Sequence, residues 1–184
     1  MEKRMLIDRG NSSLLLIDMQ ERLLPAMDDA GRLLDNVLWL LNIAQRLSLP
    51  VTLSEQYPKG LGPTVAALRD LIPERDIVSK MHFSCVAEGC LRGVSALDRP
   101  QVVMCGIESH ICVLQSAMDL QSSGRQVFVV ADCVASRDPY NRGIALERMR
   151  QHGIVIVSRE MVAFEWLGVS GTEEFREISR AFLR

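Results

Sequence analysis

The sequence predicts an α/β protein built on a six-stranded, doubly wound parallel sheet. Three observations carry that expectation. Short apolar runs alternate along the chain with segments of helical pattern, the order that βαβ units require. The runs are continuously apolar rather than alternating, as expected of strands buried on both faces. No repeat, linker or low-complexity stretch interrupts the 184 residues, a length that suits one domain, 1–184, with a sizeable core.

The elements follow in order. Ser13 to Ile17 reads as the first strand, and Gly31 to Leu47 carries a broad helical apolar arc (Leu33, Leu34, Val37, Leu38, Leu40, Leu41, Ala44, Leu47). Pro50 to Leu53 is the second strand, and the Pro- and Gly-rich stretch Tyr57 to Pro63 reads as a long surface loop of the functional kind. Ile77-Val78 is a short third strand, followed by a modest helix over Glu88 to Leu97. Val102 to Cys105 is the fourth strand; the helix after it starts near Ile111 and ends near Gly124, a C-terminal cap. Val127 to Val130 is the fifth strand, Asn141 to His152 a helix closed by Gly153, and Ile154 to Val157 the sixth strand. Thr172 caps a final helix through Phe182.

Composition narrows the function classes. With 48% hydrophobic and 24% charged residues the chain is an ordinary globular one. A net charge of −2 with scattered Lys and Arg offers no footprint for nucleic acid. No apolar run approaches membrane-spanning length, and Met1 to Asn11 lacks the apolar core and cleavage site of a signal peptide. Five cysteines without framework spacing suit a reducing compartment, so a cytoplasmic protein is expected. There is no C-x-x-C, and the three histidines are dispersed, so neither a metal nor another cofactor is expected.

Parallel sheets bind ligands beyond the carboxyl ends of their strands, at a switch in strand order. Three chemically interesting residues follow strands. Asp18 ends an all-apolar strand, where partial desolvation raises its basicity; a helix cap or ion-pair role suits it equally. Lys80 follows the third strand, where an ordinary solvated lysine is also consistent. Cys112 lies in the first turn of the helix after strand four, where the helix dipole is expected to lower the thiol pKa. Cys105 and Cys133 read as core cysteines. Together, Asp18 can take the proton that Cys112 must lose to attack a carbonyl, while Lys80 holds the carboxylate ionised and stabilises developing negative charge.

The chain resembles the isochorismatase-like cysteine hydrolases. The resemblance is carried by LLLIDMQERLLPAM at Leu14 to Met27, SEQYPKGLGPTV at Ser54 to Val65, SKMHFSC at Ser79 to Cys85, CGIESHICVLQSAMDL at Cys105 to Leu120 and ALERMRQHGIVIVSREMVAFEWL at Ala145 to Leu167. It implies a three-layer α/β/α sandwich and a triad of Asp18, Lys80 and Cys112. It also implies a cis peptide at Ile107–Glu108, with the N–H groups of Glu108 and Cys112 forming an oxyanion hole. The expected activity is hydrolysis of a small amide or related acyl C–N bond through a Cys112 thioester. Presence of Cys112 disfavours the vinyl-ether-cleaving branch, and Ser54 to Lys59 lacks the histidines of the nicotinamidase metal set. A homo-oligomer is expected, since the helices at Gly31–Leu47 and Thr172–Leu183 carry more apolar surface than one sheet face covers.

Pocket candidates are Gln20, Glu55, Gln56, Tyr57, His82, Phe83, Ile107, His110 and Trp166, the aromatics as apolar walls. His110 is no base for Cys112, because residues two apart at a helix start do not face each other. Two other readings stay open: a catalytically silent binding or regulatory module on the same fold, and a thiol redox sensor in which Cys85 or Cys133 approaches Cys112.

Overall fold

The computed structural model describes residues 6–87, 89–94 and 98–183. Six strands form one all-parallel sheet: β1 (Ser12–Ile17), β2 (Val51–Gln56), β3 (Ile77–Lys80), β4 (Gln101–Ile107), β5 (Gln126–Ala135) and β6 (Val155–Val157), in the order β3-β2-β1-β4-β5-β6. The chain builds outward from β1 through β2 to β3, then returns to the other side of β1 with β4. The switch in strand order therefore falls between β1 and β4, where doubly wound sheets bind their ligands.

Helices cover both faces because each central strand is apolar on both. Leu14, Leu16, Val103, Cys105, Phe128 and Val130 face the layer made by α1 (Ala30–Arg46), α6 (Arg159–Leu167) and α7 (Glu173–Phe182). Leu15, Ile17, Val102, Met104, Val127 and Val129 face α4 (Leu114–Ser122) and α5 (Pro139–Gln151). Two short helices, α2 (Pro58–Leu61) and α3 (Ala66–Arg69), lie in the connection from β2 to β3, so Tyr57 to Pro63 is not all loop. Side-chain caps start the later helices: Asp138 accepts from Tyr140, Ser158 from Met161 and Thr172 from Phe175.

Other differences from the sequence reading are local. β3 runs on to Lys80, so that lysine ends the strand rather than following it. β5 continues to Ala135 because Arg142, from α5, donates to the carbonyls of Val134 and Ala131 and supports the extension. The helix expected over Glu88 to Leu97 lies partly outside the described residues, and residues 89–93 form turns. The broad arc of α1 is covered within the chain: Trp39 donates to the Phe182 carbonyl at 2.8 Å, and Arg46 stacks over the Phe182 ring. Surplus apolar surface on α1 and α7 is thus no argument for assembly.

Gly106 brings the switch point together. It pairs with Ile17 across β1 and β4 at φ 119°, and a Cβ there would lie 2.1 Å from the Ile17 carbonyl oxygen. Only glycine permits that approach, which sets the end of β1 against the loop after β4.

Candidate active site

Four strand ends deliver one cluster at the carboxyl edge. Asp18 leaves β1 in a left-handed conformation (φ 52°), its N–H donating to the Ser54 carbonyl and its own carbonyl accepting from Gln20. Left-handed backbone is costly for a residue with a Cβ and is tolerated best by Asp and Asn. The carboxylate is fully buried, with one donor on each oxygen: Ser54 Oγ on Oδ1 and Lys80 Nζ on Oδ2, both at 2.7 Å. Lys80 is 1% exposed and also donates to Gln56 Oε1 at 2.6 Å. The Cys112 Sγ lies 4.0 Å from the same Gln56 Oε1, close enough for the charges of Asp18 and Lys80 both to act on it.

The electrostatics overturn one expectation. Burial raises the Asp18 pKa, only partly opposed by Lys80, Ser54 and Cys112. Burial by itself would lower Lys80, but the charges of Asp18 and Cys112 outweigh it and hold the ammonium pKa up. Cys112 is pushed well up, first by burial and then by the Asp18 charge, against the pull of Lys80. The thiol is therefore not pre-ionised by its helix terminus. Desolvation and the neighbouring Asp18 win over the dipole.

The loop carrying Cys112 is stapled to the end of β5. The Ile107–Glu108 peptide is cis. A π-helical turn, Ser109–Val113, then leads into α4, in place of an α-helix beginning near Ile111. The Glu108 carboxylate accepts from the Arg137 backbone N–H and guanidinium at 3.0 and 3.1 Å, and His110 Nδ1 lies 2.9 Å from Ser136 Oγ. Two side chains of the loop thus grip two successive residues after β5.

The other pocket candidates divide. Gln56 joins the cluster. Gln20 does not contact it directly: it is fully buried, with its amide spent on the Gln56 backbone and the Gly62 carbonyl. Glu55 points elsewhere, accepting from the Thr64 N–H and pairing with Arg69 at 2.6 Å. Tyr57 and Phe83 are exposed beside the ends of β2 and β3, as is His82, while Ile107 is buried in the core. Trp166 is at the wrong end of the sheet. Its indole donates to Ser12 Oγ at the start of β1, about 20 Å along the strand from Asp18 at 3.3 Å per residue. Sequence reasoning missed Ser54 as the second donor to Asp18; the only signal was a hydroxyl in the strand that pairs with Ile17. Among the described residues no three metal-ligating side chains cluster. His110 and His152 are engaged separately, with Ser136 and the Arg148 carbonyl.

A doubly wound sheet with acid, ammonium and thiol buried at its switch point places the chain among α/β proteins with a hydrolase fold. The model of the isochorismatase domain matches residues 12–161. Isochorismatase domain-containing protein 2 of Danio rerio is 37% identical over 172 residues, covering 92% of this chain and 85% of the relative. The chain belongs to the isochorismatase family. Among solved structures, MAR1 ribonuclease from Caenorhabditis elegans superposes with a TM-score of 0.88 at 33% identity, covering 97% of this chain and 93% of that one. The Escherichia coli ycaC product, described as an octameric hydrolase of unknown specificity, gives a TM-score of 0.89 over 100% and 93% of the two chains. At 24% identity it speaks for the fold alone.

Proposed function

We propose that the protein hydrolyses a small amide or related acyl C–N bond through a thioester on Cys112. The observation that carries this is the buried contact of Lys80 with Asp18, with Lys80 and the Cys112 thiol meeting at the same Gln56 oxygen. Asp18, basic enough to accept a proton because burial raises its pKa, takes the thiol proton as Cys112 Sγ attacks the substrate carbonyl. Lys80 stabilises the sulfur's charge. The N–H groups of Glu108 and Cys112 hold the oxyanion, and donors placed so contribute about 3 kcal/mol each to the transition state. The C–N bond breaks as Asp18 returns its proton to the leaving nitrogen, releasing amine or ammonia. Asp18 then takes a proton from water, whose oxygen attacks the thioester. The acid leaves, and the Cys112 thiolate regains its proton from Asp18.

The raised thiol pKa fits this order of events. A thiol kept neutral beside its base resists chance oxidation and alkylation, and ionises only as the carbonyl arrives. That favours a hydrolase over a thiol redox sensor, which needs a resting thiolate. The ribonuclease name of the nematode relative finds little support in a net charge of −2. No helix among the described residues is long and apolar enough to cross a membrane; with all five cysteines free, we favour a reducing, cytoplasmic setting. Tyr140 and Ile144, exposed one turn apart on α5, are the better candidates for a homo-oligomer face, which light scattering after size exclusion would test.

An ammonia-release screen over small amides, ureas and carbamates tests the reading, with RNA as a parallel substrate. Turnover of an amide by the wild type and its loss in Cys112→Ser is the expected result. Undiminished turnover by that variant ends the proposal, as does cleavage of RNA alone.

A further inference from the structure

Gln56 holds a place at the centre of the cluster that no acid–base role explains. An ammonium has three N–H donors. One of Lys80's goes to Asp18 Oδ2 at 2.7 Å and one to Gln56 Oε1 at 2.6 Å, and the Cys112 Sγ lies 4.0 Å from that same Gln56 oxygen. Gln56 cannot turn its amide over, because Nε2 donates to the Met81 carbonyl at 2.7 Å. Its backbone is locked as well: the N–H donates to Gln20 Oε1 at 2.8 Å and the carbonyl accepts from Gln20 Nε2 at 2.9 Å.

We infer that Gln56 is a positioning residue that aims the Lys80 ammonium at the Cys112 sulfur. With two of the three donors held by Asp18 and Gln56, the tetrahedral geometry of nitrogen fixes the direction of the third, and Gln56 Oε1 is the atom that Lys80 and Cys112 share. The neutrality of the amide matters equally. A carboxylate at this place would be a second anion against one cation, and the ammonium's field would be spent on it rather than on sulfur. Gln20 acts one step further out, holding the strand end that carries Gln56. The inference rests on the thiol-hydrolase reading for its catalytic consequence, but its test reads the ammonium and the sulfur without any substrate.

The chain has three lysines, Lys3, Lys59 and Lys80, so ¹⁵N-lysine labelling gives a readable spectrum. A buried, hydrogen-bonded Lys80 ammonium exchanges its protons slowly and gives a signal at neutral pH, whereas exposed Lys59 does not. Alkylation of Cys112 by iodoacetamide, followed by peptide mapping, reports the thiolate population. In Gln56→Leu the Lys80 signal is expected to vanish and Cys112 alkylation at fixed pH to slow about tenfold, the equivalent of one pKa unit. In Gln56→Glu the signal is expected to persist, because the acceptor oxygen is kept, while alkylation slows at least as much. A Gln56→Leu protein with wild-type signal and alkylation rate would overturn the inference. Should that variant fail to fold, wild-type alkylation in Gln56→Glu would overturn it instead. Failure of the hydrolase reading looks different: no amide is turned over, yet both readouts respond as described.

Discussion

The two ends of the sheet spend their buried polar groups differently. At the amino end, long side chains bond mainly to backbone or to neutral partners. Arg99 donates to the carbonyls of Arg9 and Ser12, Gln101 bridges Asp8, Leu6 and Gln126, and Trp166 donates to Ser12 Oγ. At the carboxyl end, side chains bond to one another and carry charge: Asp18, Ser54, Lys80, Gln56 and Cys112 form one network. Bonds from side chain to backbone fix architecture. A buried ion pair is weak evidence for stability, since desolvation offsets much of its attraction. Its retention beside a thiol points to chemistry.

Variants sharpen that contrast. The largest effect is expected on turnover at the carboxyl end. Cys112→Ala should abolish it, and Asp18→Asn should reduce it about 10³-fold or more, in the range lost with a general acid–base. Intact-mass spectra of the wild type with a turned-over amide should show an acyl adduct that Cys112→Ala lacks.

Next comes stability. Lys80→Met strands a buried carboxylate and should cost about 3–5 kcal/mol, whereas the double variant Asp18→Asn/Lys80→Met should recover most of it; urea unfolding measures both. A double variant no more stable than Lys80→Met would remove the ion pair from the account.

The pH dependence follows from the sign of the Lys80 shift. Its folded pKa lies above the unfolded value of 10.5, so between the two the folded chain holds a proton that the unfolded chain has lost. The contribution is fully present below pH 10.5 and is lost as pH rises through the folded pKa. Wild-type stability should therefore fall between pH 10.5 and the folded pKa by up to about 1.4 kcal/mol per pH unit from this group. Lys80→Met should lack that component of the slope.

The smallest effect belongs to the amino end. Trp166→Phe removes one hydrogen bond and leaves Ser12 Oγ unpaired, at a cost of about 1–3 kcal/mol of stability. Its turnover should match the wild type, and a loss there would break the division between the two ends.

The apolar runs at Leu14 to Ile17 and Val102 to Cys105 announced buried parallel strands, and Asp18, Lys80 and Cys112 were legible as candidates because each ends a strand or follows one closely. Direction was not. The aromatic character that suits Trp166 to a pocket wall does not set which end of the sheet it lies at, and Glu55 and Gln56, adjacent in sequence, part company because successive strand residues face opposite ways. Ser54 and Gln56 acquire their roles from the register of β2 against β1 and β3, which only the folded chain sets. The Cys112 pKa was misread for a similar reason. The helix terminus is local and visible in sequence, while burial and the Asp18 charge arrive from elsewhere.

The most direct measurement is the rate of Cys112 alkylation in Asp18→Asn against wild type, by peptide mapping at a series of pH values. A thiol held neutral by burial and by that carboxylate should react faster once the charge is gone, even as turnover of an amide falls. A rate equal to or slower than wild type would mean that the carboxylate does not govern the sulfur, contradicting the account at its centre.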